Sequence, residues 1–333
     1  MFDDPLRGTG TGIADRSADL GDERGFKPVD QICTALIAVY DTGRMSIYDR
    51  ILVTGGNGML AYAFKQRFTP MNLNVTYADR SVCDVCDDDS CNRAFRDLQP
   101  TLVINCAAYT KVDLAEKERG AANQCNGYGV GHLAELCRNY GAMLVHFSTD
   151  YVFDGTVSRP LETTDPLGPL SAYGKSKLLG EQLLRQDAPD RWLILRTAWL
   201  YGPGGPCFPA TMVNVAKQGK PLKVVDDQHG TPTFTYDLVD ATLELIHRQA
   251  PSGIWHLTNS GQTTWYDFTA AILEEFGLKT DLSRTSSAEW KKLKPDAAIR
   301  PMYSVLDITP YESLTRQQMP KWRDALHRYR LAL

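Results

Sequence analysis

Short apolar runs and amphipathic stretches alternate along most of this chain. Residues 51–53 form an apolar strand that runs into a glycine turn and then into a helix over about 59–68. A second strand reads over 73–78, a helix over 90–98 that stops before Pro100, and a strand over 102–106. The pattern continues with a long helix over about 115–140, a strand over 143–147, a helix from Ser171 to about Leu184, and a strand over 192–197. Unbroken apolar runs such as Leu102-Val103-Ile104 predict strands buried on both faces, hence a parallel sheet with helices on either side. The last third carries helices over 236–249, 265–276 and 321–331 with short strands such as 254–257, enough for a smaller lobe. The predicted architecture is α/β: a Rossmann-type doubly wound parallel sheet with a smaller α/β substrate lobe.

The first strand ends in Thr54-Gly55-Gly56-Asn57-Gly58-Met59-Leu60-Ala61. Gly55 and Gly58 can take the positive φ of a sharp turn, and lacking a Cβ they let a pyrophosphate approach the backbone. Met59 and Leu60 then open a helix whose free N–H groups suit phosphates. The G-x-x-G-x-x-A spacing alone is also what an ordinary glycine turn would show. At the end of the second strand stand Asp79 and Arg80. A carboxylate there suits a ribose 2′-hydroxyl and a guanidinium a 2′-phosphate, so the residues do not choose between NADH and NADPH and use of both is expected. Asp84 is a candidate beside the adenine.

Further along, Ala107, Ala108 and Tyr109 sit at the C-terminal end of the third strand, and Ser148, Thr149 and Asp150 at the end of the fourth. Open α/β sheets bind ligands along that edge. Tyr173 and Lys177 are four residues apart and share a helix face. An ammonium near a phenol is expected to lower the tyrosine pKa and make it a usable proton donor. Trp199 follows the fifth strand, where it suits either stacking on a ligand or core packing. His146, His229 and His256 show no metal or triad spacing and read as structural.

Composition narrows the function classes. The 333 residues carry a net charge of −4, which spreads no positive field for nucleic acid. No apolar run approaches the roughly 20 residues of a membrane-spanning helix. Eight cysteines in apolar contexts suit reduced thiols. Cys83, Cys86 and Cys91 form C-x2-C-x4-C without a nearby fourth ligand, which reads as a loop and not as a metal site. Residues 1–46 are polar and glycine-rich, so they are expected to form a disordered extension of a cytoplasmic protein. A chain starting at Met45 is expected to fold and retain activity. The expected division is 47–205 for cofactor binding, with 232–252 packed on it, and 206–231 with 253–333 for the smaller lobe.

Several blocks together carry a family resemblance: Thr-Gly-Gly-Asn-Gly (54–58), Asn-Cys-Ala-Ala-Tyr-Thr-Lys-Val-Asp (105–113), Ser-Thr-Asp-Tyr-Val-Phe-Asp-Gly (148–155), Tyr-Gly-Lys-Ser-Lys (173–177), Arg-Thr-Ala-Trp-Leu-Tyr-Gly (196–202), Asp-Asp-Gln-His-Gly-Thr-Pro-Thr (226–233) and Arg-Pro (300–301) with Ser-Val-Leu-Asp (304–307). From about Ile51 to Leu326 the chain resembles the dTDP-4-dehydrorhamnose reductases, which are extended short-chain dehydrogenase/reductases. The resemblance implies reduction of the C4 ketone of dTDP-4-dehydro-L-rhamnose with NADPH or NADH. By motif position it implies that Tyr173 protonates the C4 oxygen, that Lys177 holds the nicotinamide ribose, and that Thr149 hydrogen-bonds the carbonyl. Val112, Asp150, Trp199 and Gln228 then belong to substrate binding. Ala61 stands where many members have glycine. Some relatives dimerise around Mg²⁺ through glutamates that match no position here, so a monomer or a homodimer both fit. Two other readings share parts of these blocks: a non-catalytic regulator similar to the β subunit of methionine adenosyltransferase, and a nucleotide-sugar epimerase or dehydratase. Trp199 and the intact Thr149, Tyr173 and Lys177 favour the reductase.

Overall fold

The computed structural model describes residues 48–333, so the extension and Met45 lie outside the described residues. Six parallel strands build one sheet: β1 (Ile51–Thr54), β2 (Val75–Ala78), β3 (Leu102–Asn105), β4 (Met143–Thr149), β5 (Trp192–Thr197) and β6 (Gly253–His256). Their spatial order is β6-β5-β4-β3-β1-β2. The pairing is in register, for example Val53 beside Tyr77 on one side and Ile104 on the other.

Alternation of side chains assigns the two faces. Ile51, Val53, Ile104, Val145 and Leu195 pack beneath helices α1 (Met59–Phe68) and α5 (Thr235–His247). Leu52, Val103, Leu144 and Ile194 point the other way, beneath α2 (Asp88–Leu98), α3 (Gly129–Tyr140) and α4 (Ala172–Gln186). Because both faces are covered, the central strands carry apolar residues on both faces over most of their length, with polar residues toward their C-terminal ends and His146 within β4.

Two elements differ from the sequence expectation. The helix expected over 115–140 is a 3-10 turn (Leu114–Glu116), a short α-helix (Arg119–Asn123), a π-helical turn (Gln124–Tyr128) and then α3. The π-helical turn packs closely on α4: a Cβ at Gly127 would lie 2.5 Å from Leu179, and one on Gly180 2.1 Å from the carbonyl oxygen of Asn126. The second difference is β6, expected in the smaller lobe but paired with β5 in the main sheet. Residues 254–257 are too short for their pattern to show which sheet receives them.

Beyond the sheet, helices at Phe208–Lys217, Trp265–Glu275 and Trp322–Leu331 enclose a separate core that includes Tyr201, Phe234, Phe268 and Tyr329. A two-stranded parallel pair, Leu222–Val225 with Leu282–Thr285, flanks it.

Candidate active site

The chain reverses its direction of sheet growth between β1 and β3, and the cleft opens at the C-terminal ends of those strands, the usual ligand position in such folds. Gly55 ends β1 with φ +64, and a Cβ there would lie 2.8 Å from the Ala107 backbone. Only glycine leaves this passage open. Gly58, by contrast, has φ −84 and serves as the N-cap of α1, so its value is close approach and not a left-handed turn. No side chain caps α1, which leaves its first N–H groups facing the cleft. Such a cradle fits a dinucleotide pyrophosphate.

The cleft has a volume of about 900 Å³. Gly55, Gly58, Met59, Leu60, Asp79, Arg80, Asp84, Ala107 and Ala108 line one end, and Val112, Thr149, Asp150, Tyr173, Lys177 and Trp199 the other. Two expected residues do not line it. Tyr109 donates its hydroxyl to Glu118 at 2.7 Å, and Gln228 donates its amide to Ser287 at 2.8 Å. In both cases a protein partner holds the polar group.

At the end of β2 the Asp79 side chain is already engaged. Its carboxylate accepts from the backbone N–H and hydroxyl of Ser81 at 2.9 and 2.6 Å, and those bonds hold it below the usual carboxylate range. Arg80 is exposed beside it. Cys83 and Cys91 face each other at 3.7 Å, while Cys86 pairs with Cys125 across the cleft wall, so the C-x2-C-x4-C spacing does not gather three thiols. The seven cysteines among the described residues are all free.

At the other end β4 and α4 bring Thr149, Tyr173 and Lys177 together. Ser171 caps α4 through the Gly174 N–H, and a Cβ on Gly174 would lie 2.3 Å from the Tyr151 carbonyl oxygen, so the helix start is pressed onto the strand end. Thr149 lies beside Tyr173 in the cleft and donates to Asp150 at 2.9 Å. Burial pushes Asp150 up to about 6, and one of its carboxylate oxygens has no protein partner. The Tyr173 phenol is pushed up to about 12, not down as expected from the lysine, because burial and the Asp150 carboxylate outweigh the nearby Thr149 hydroxyl. Lys177 instead donates to the Phe147 carbonyl at 2.6 Å. A neutral phenol over the whole ordinary pH range is what a proton donor needs.

Trp199 has φ +47 and stacks on Trp265 with ring centroids 3.6 Å apart. Gly230 makes room: a Cβ there would lie 2.5 Å from the Trp199 ring. The pair forms a flat apolar wall on the cleft. Trp265, Tyr151, Thr197 and Cys125 also line the cleft and were not singled out in the sequence, because nothing in residue 265's local pattern distinguishes a helix-start tryptophan from core.

The family model described as the RmlD substrate binding domain matches residues 49–332. The spore coat polysaccharide biosynthesis protein SpsK of Bacillus subtilis is 39% identical over 84% of this chain and 96% of its own. The dTDP-4-dehydrorhamnose reductase of Streptomyces griseus is 40% identical over 83% of this chain and 91% of its own. Among solved structures, the dTDP-4-dehydrorhamnose reductase of Bacillus anthracis in complex with NADP superposes with a TM-score of 0.81 at 32% identity, covering 86% of this chain and 100% of that one.

Proposed function

This chain belongs to the RmlD substrate-binding-domain family, and from that premise we infer that it is an NAD(P)H-dependent dTDP-4-dehydrorhamnose reductase, forming dTDP-L-rhamnose. The single observation that supports the chemistry best is the Thr149–Tyr173 pair, with a protonated phenol at the ligand edge of a dinucleotide cleft. The nicotinamide supplies the hydride when bound.

In this reading the chain's own residues do the rest. Gly55, Met59 and Leu60 cradle the pyrophosphate, with Asp79, Arg80 and Asp84 around the adenosine. Thr149 orients the C4 carbonyl and Tyr173 delivers the proton to its oxygen. Val112, Asp150 and the Trp199–Trp265 wall shape the sugar end. Lys177 holds the nicotinamide ribose. The substrate domain is read as 206–231 with most of 258–333, since β6 belongs to the sheet.

Arg80 should carry the preference for a 2′-phosphate, because Asp79 is already engaged by Ser81. Both cofactors should be used, with kcat/KM values within about a hundredfold, or about 2.7 kcal/mol. Arg80→Ala should lower kcat/KM with NADPH about tenfold, the loss of one exposed charge-assisted contact, and leave NADH nearly unchanged. Equal losses with both cofactors would remove Arg80 from this role.

The substrate assignment is tested by incubating the protein with NADPH and dTDP-4-dehydro-L-rhamnose and identifying the sugar product. Formation of dTDP-L-rhamnose supports it; turnover only with a different 4-keto sugar would move the assignment to that sugar.

A further inference from the structure

His146 lies on β4, fully buried, between Asn105 of β3 and Lys177 of α4. The tautomer of its ring follows from bonds at the far end of a four-residue chain. The Asn105 side-chain oxygen is identified by the Ala107 backbone N–H, which can only donate and does so at 3.2 Å. The same oxygen accepts from the Thr54 hydroxyl at 2.7 Å. The Asn105 amide nitrogen must therefore be the atom 3.0 Å from His146 Nδ1, and it donates there. Nδ1 is the acceptor, so the single proton of the neutral ring sits on Nε2. Nε2 in turn lies 3.3 Å from Lys177 Nζ.

We infer that His146 is a positioning residue that biases the protonation of Lys177: it presents an N–H, not a lone pair, to Nζ and so favours the neutral amine over the ammonium. An amine accepts that bond, whereas an ammonium meets it donor to donor. The other protein contact of Nζ, with the Phe147 carbonyl at 2.6 Å, is compatible with either form. The remaining groups around Nζ come from several elements. Cys125 on the π-helical turn and Glu181 one turn further along α4 favour the ammonium. Glu181 shares its charge with Arg196 of β5, and Arg80 and Asp84 lie beyond Cys125. Tyr173 and Asp150 stand toward the substrate end. Burial dominates these and brings Lys177 down to about 8, the same direction as the His146 N–H. His146 itself is held neutral by burial and by the adjacent lysine. With Lys177 near 8, its charge is lost just above neutral pH, so its kinetic role in the proposed reductase should show as a basic limb in kcat/KM. Only that kinetic consequence rests on the reductase reading.

NMR of the free, full-length protein tests this without relying on activity. The ring nitrogens of His146 should show the proton on Nε2. Titration of the Lys177 side-chain carbon next to Nζ should give a midpoint near 8. His146→Met removes the N–H at similar volume and should raise that midpoint by about one pH unit, the effect of one lost hydrogen bond to the neutral form. His146→Gln can accept from Asn105 and still offer an N–H to Nζ, so it should stay close to wild type. A proton on Nδ1, a midpoint unmoved or lowered in His146→Met, or an equal rise in His146→Gln would overturn the inference. The basic limb of kcat/KM should follow the NMR midpoint. A midpoint that moves while the limb stays would support the inference about His146 and count against Lys177 in the proposed reaction. The wild-type ring measurement needs no variant and stands whether or not His146→Met folds.

Discussion

Tyr173→Phe is expected to lower kcat by about 10²–10⁴-fold, the range for losing a general acid, while KM for the sugar and for NADPH changes little. The phenyl ring is retained, so the edge-to-face contact with Tyr151, whose centroid is 5.9 Å away, should persist and the pocket should keep its shape. The loss falls on kcat because the proton is needed only as negative charge develops on the C4 oxygen. Tyr173 is pushed up to about 12 and stays protonated through neutral pH, so the wild-type rate should show no limb from its titration below that value. Steady-state kinetics with both ligands varied checks this. A fall in kcat below about tenfold, or a rise in KM that accounts for the whole effect, would mean that Tyr173 only shapes the pocket.

The largest stability effect is expected at Glu181. Its carboxylate meets Arg196 in a two-point pair, 2.9 and 2.7 Å, and accepts from Ser148 at 2.5 Å, with both charged side chains almost wholly buried. Arg196 also lies over the Phe153 ring at 5.1 Å. Glu181→Ala leaves a buried guanidinium uncompensated and should destabilise by about 3–5 kcal/mol in urea unfolding. The double replacement Glu181→Met with Arg196→Met should recover much of that, because paired burial carries its own desolvation penalty. A loss under about 1 kcal/mol for the single variant would show that water reaches the pair. This cluster fixes α4 against β4 next to Thr149, so its loosening should also reduce activity.

Where the pattern is local, the sequence was enough. The apolar runs of β1, β3, β4 and β5 mark a doubly wound sheet because each strand is covered on both faces, and the Gly55 turn shows itself because only a residue without a Cβ can pass Ala107. Tyr173 and Lys177 are legible through their spacing on one helix. What depends on long-range contact was not. Trp265 is brought against Trp199 by the fold of the last third, and no residue near it in sequence signals a ligand. The short β6 pattern did not carry its partner. Lys177 was expected to tune Tyr173, yet its nitrogen is turned to Phe147 and His146, and His146 read as structural because its partner Asn105 is 41 residues away. The Tyr109 and Gln228 side chains fit the expected motifs in sequence but are held by Glu118 and Ser287 outside the cleft lining. No helix among the described residues is long and apolar enough to cross a membrane.

Reduction of a nucleotide-linked 4-keto sugar in this cleft is tested most directly by following NADPH absorbance with purified protein and dTDP-4-dehydro-L-rhamnose. NADPH oxidation is expected only when the sugar is present, stoichiometric with dTDP-L-rhamnose formed, and nearly abolished in Tyr173→Phe. A sugar converted with no net oxidation of the cofactor, or no turnover in a protein that still binds NADP and a partner protein tightly, would contradict it.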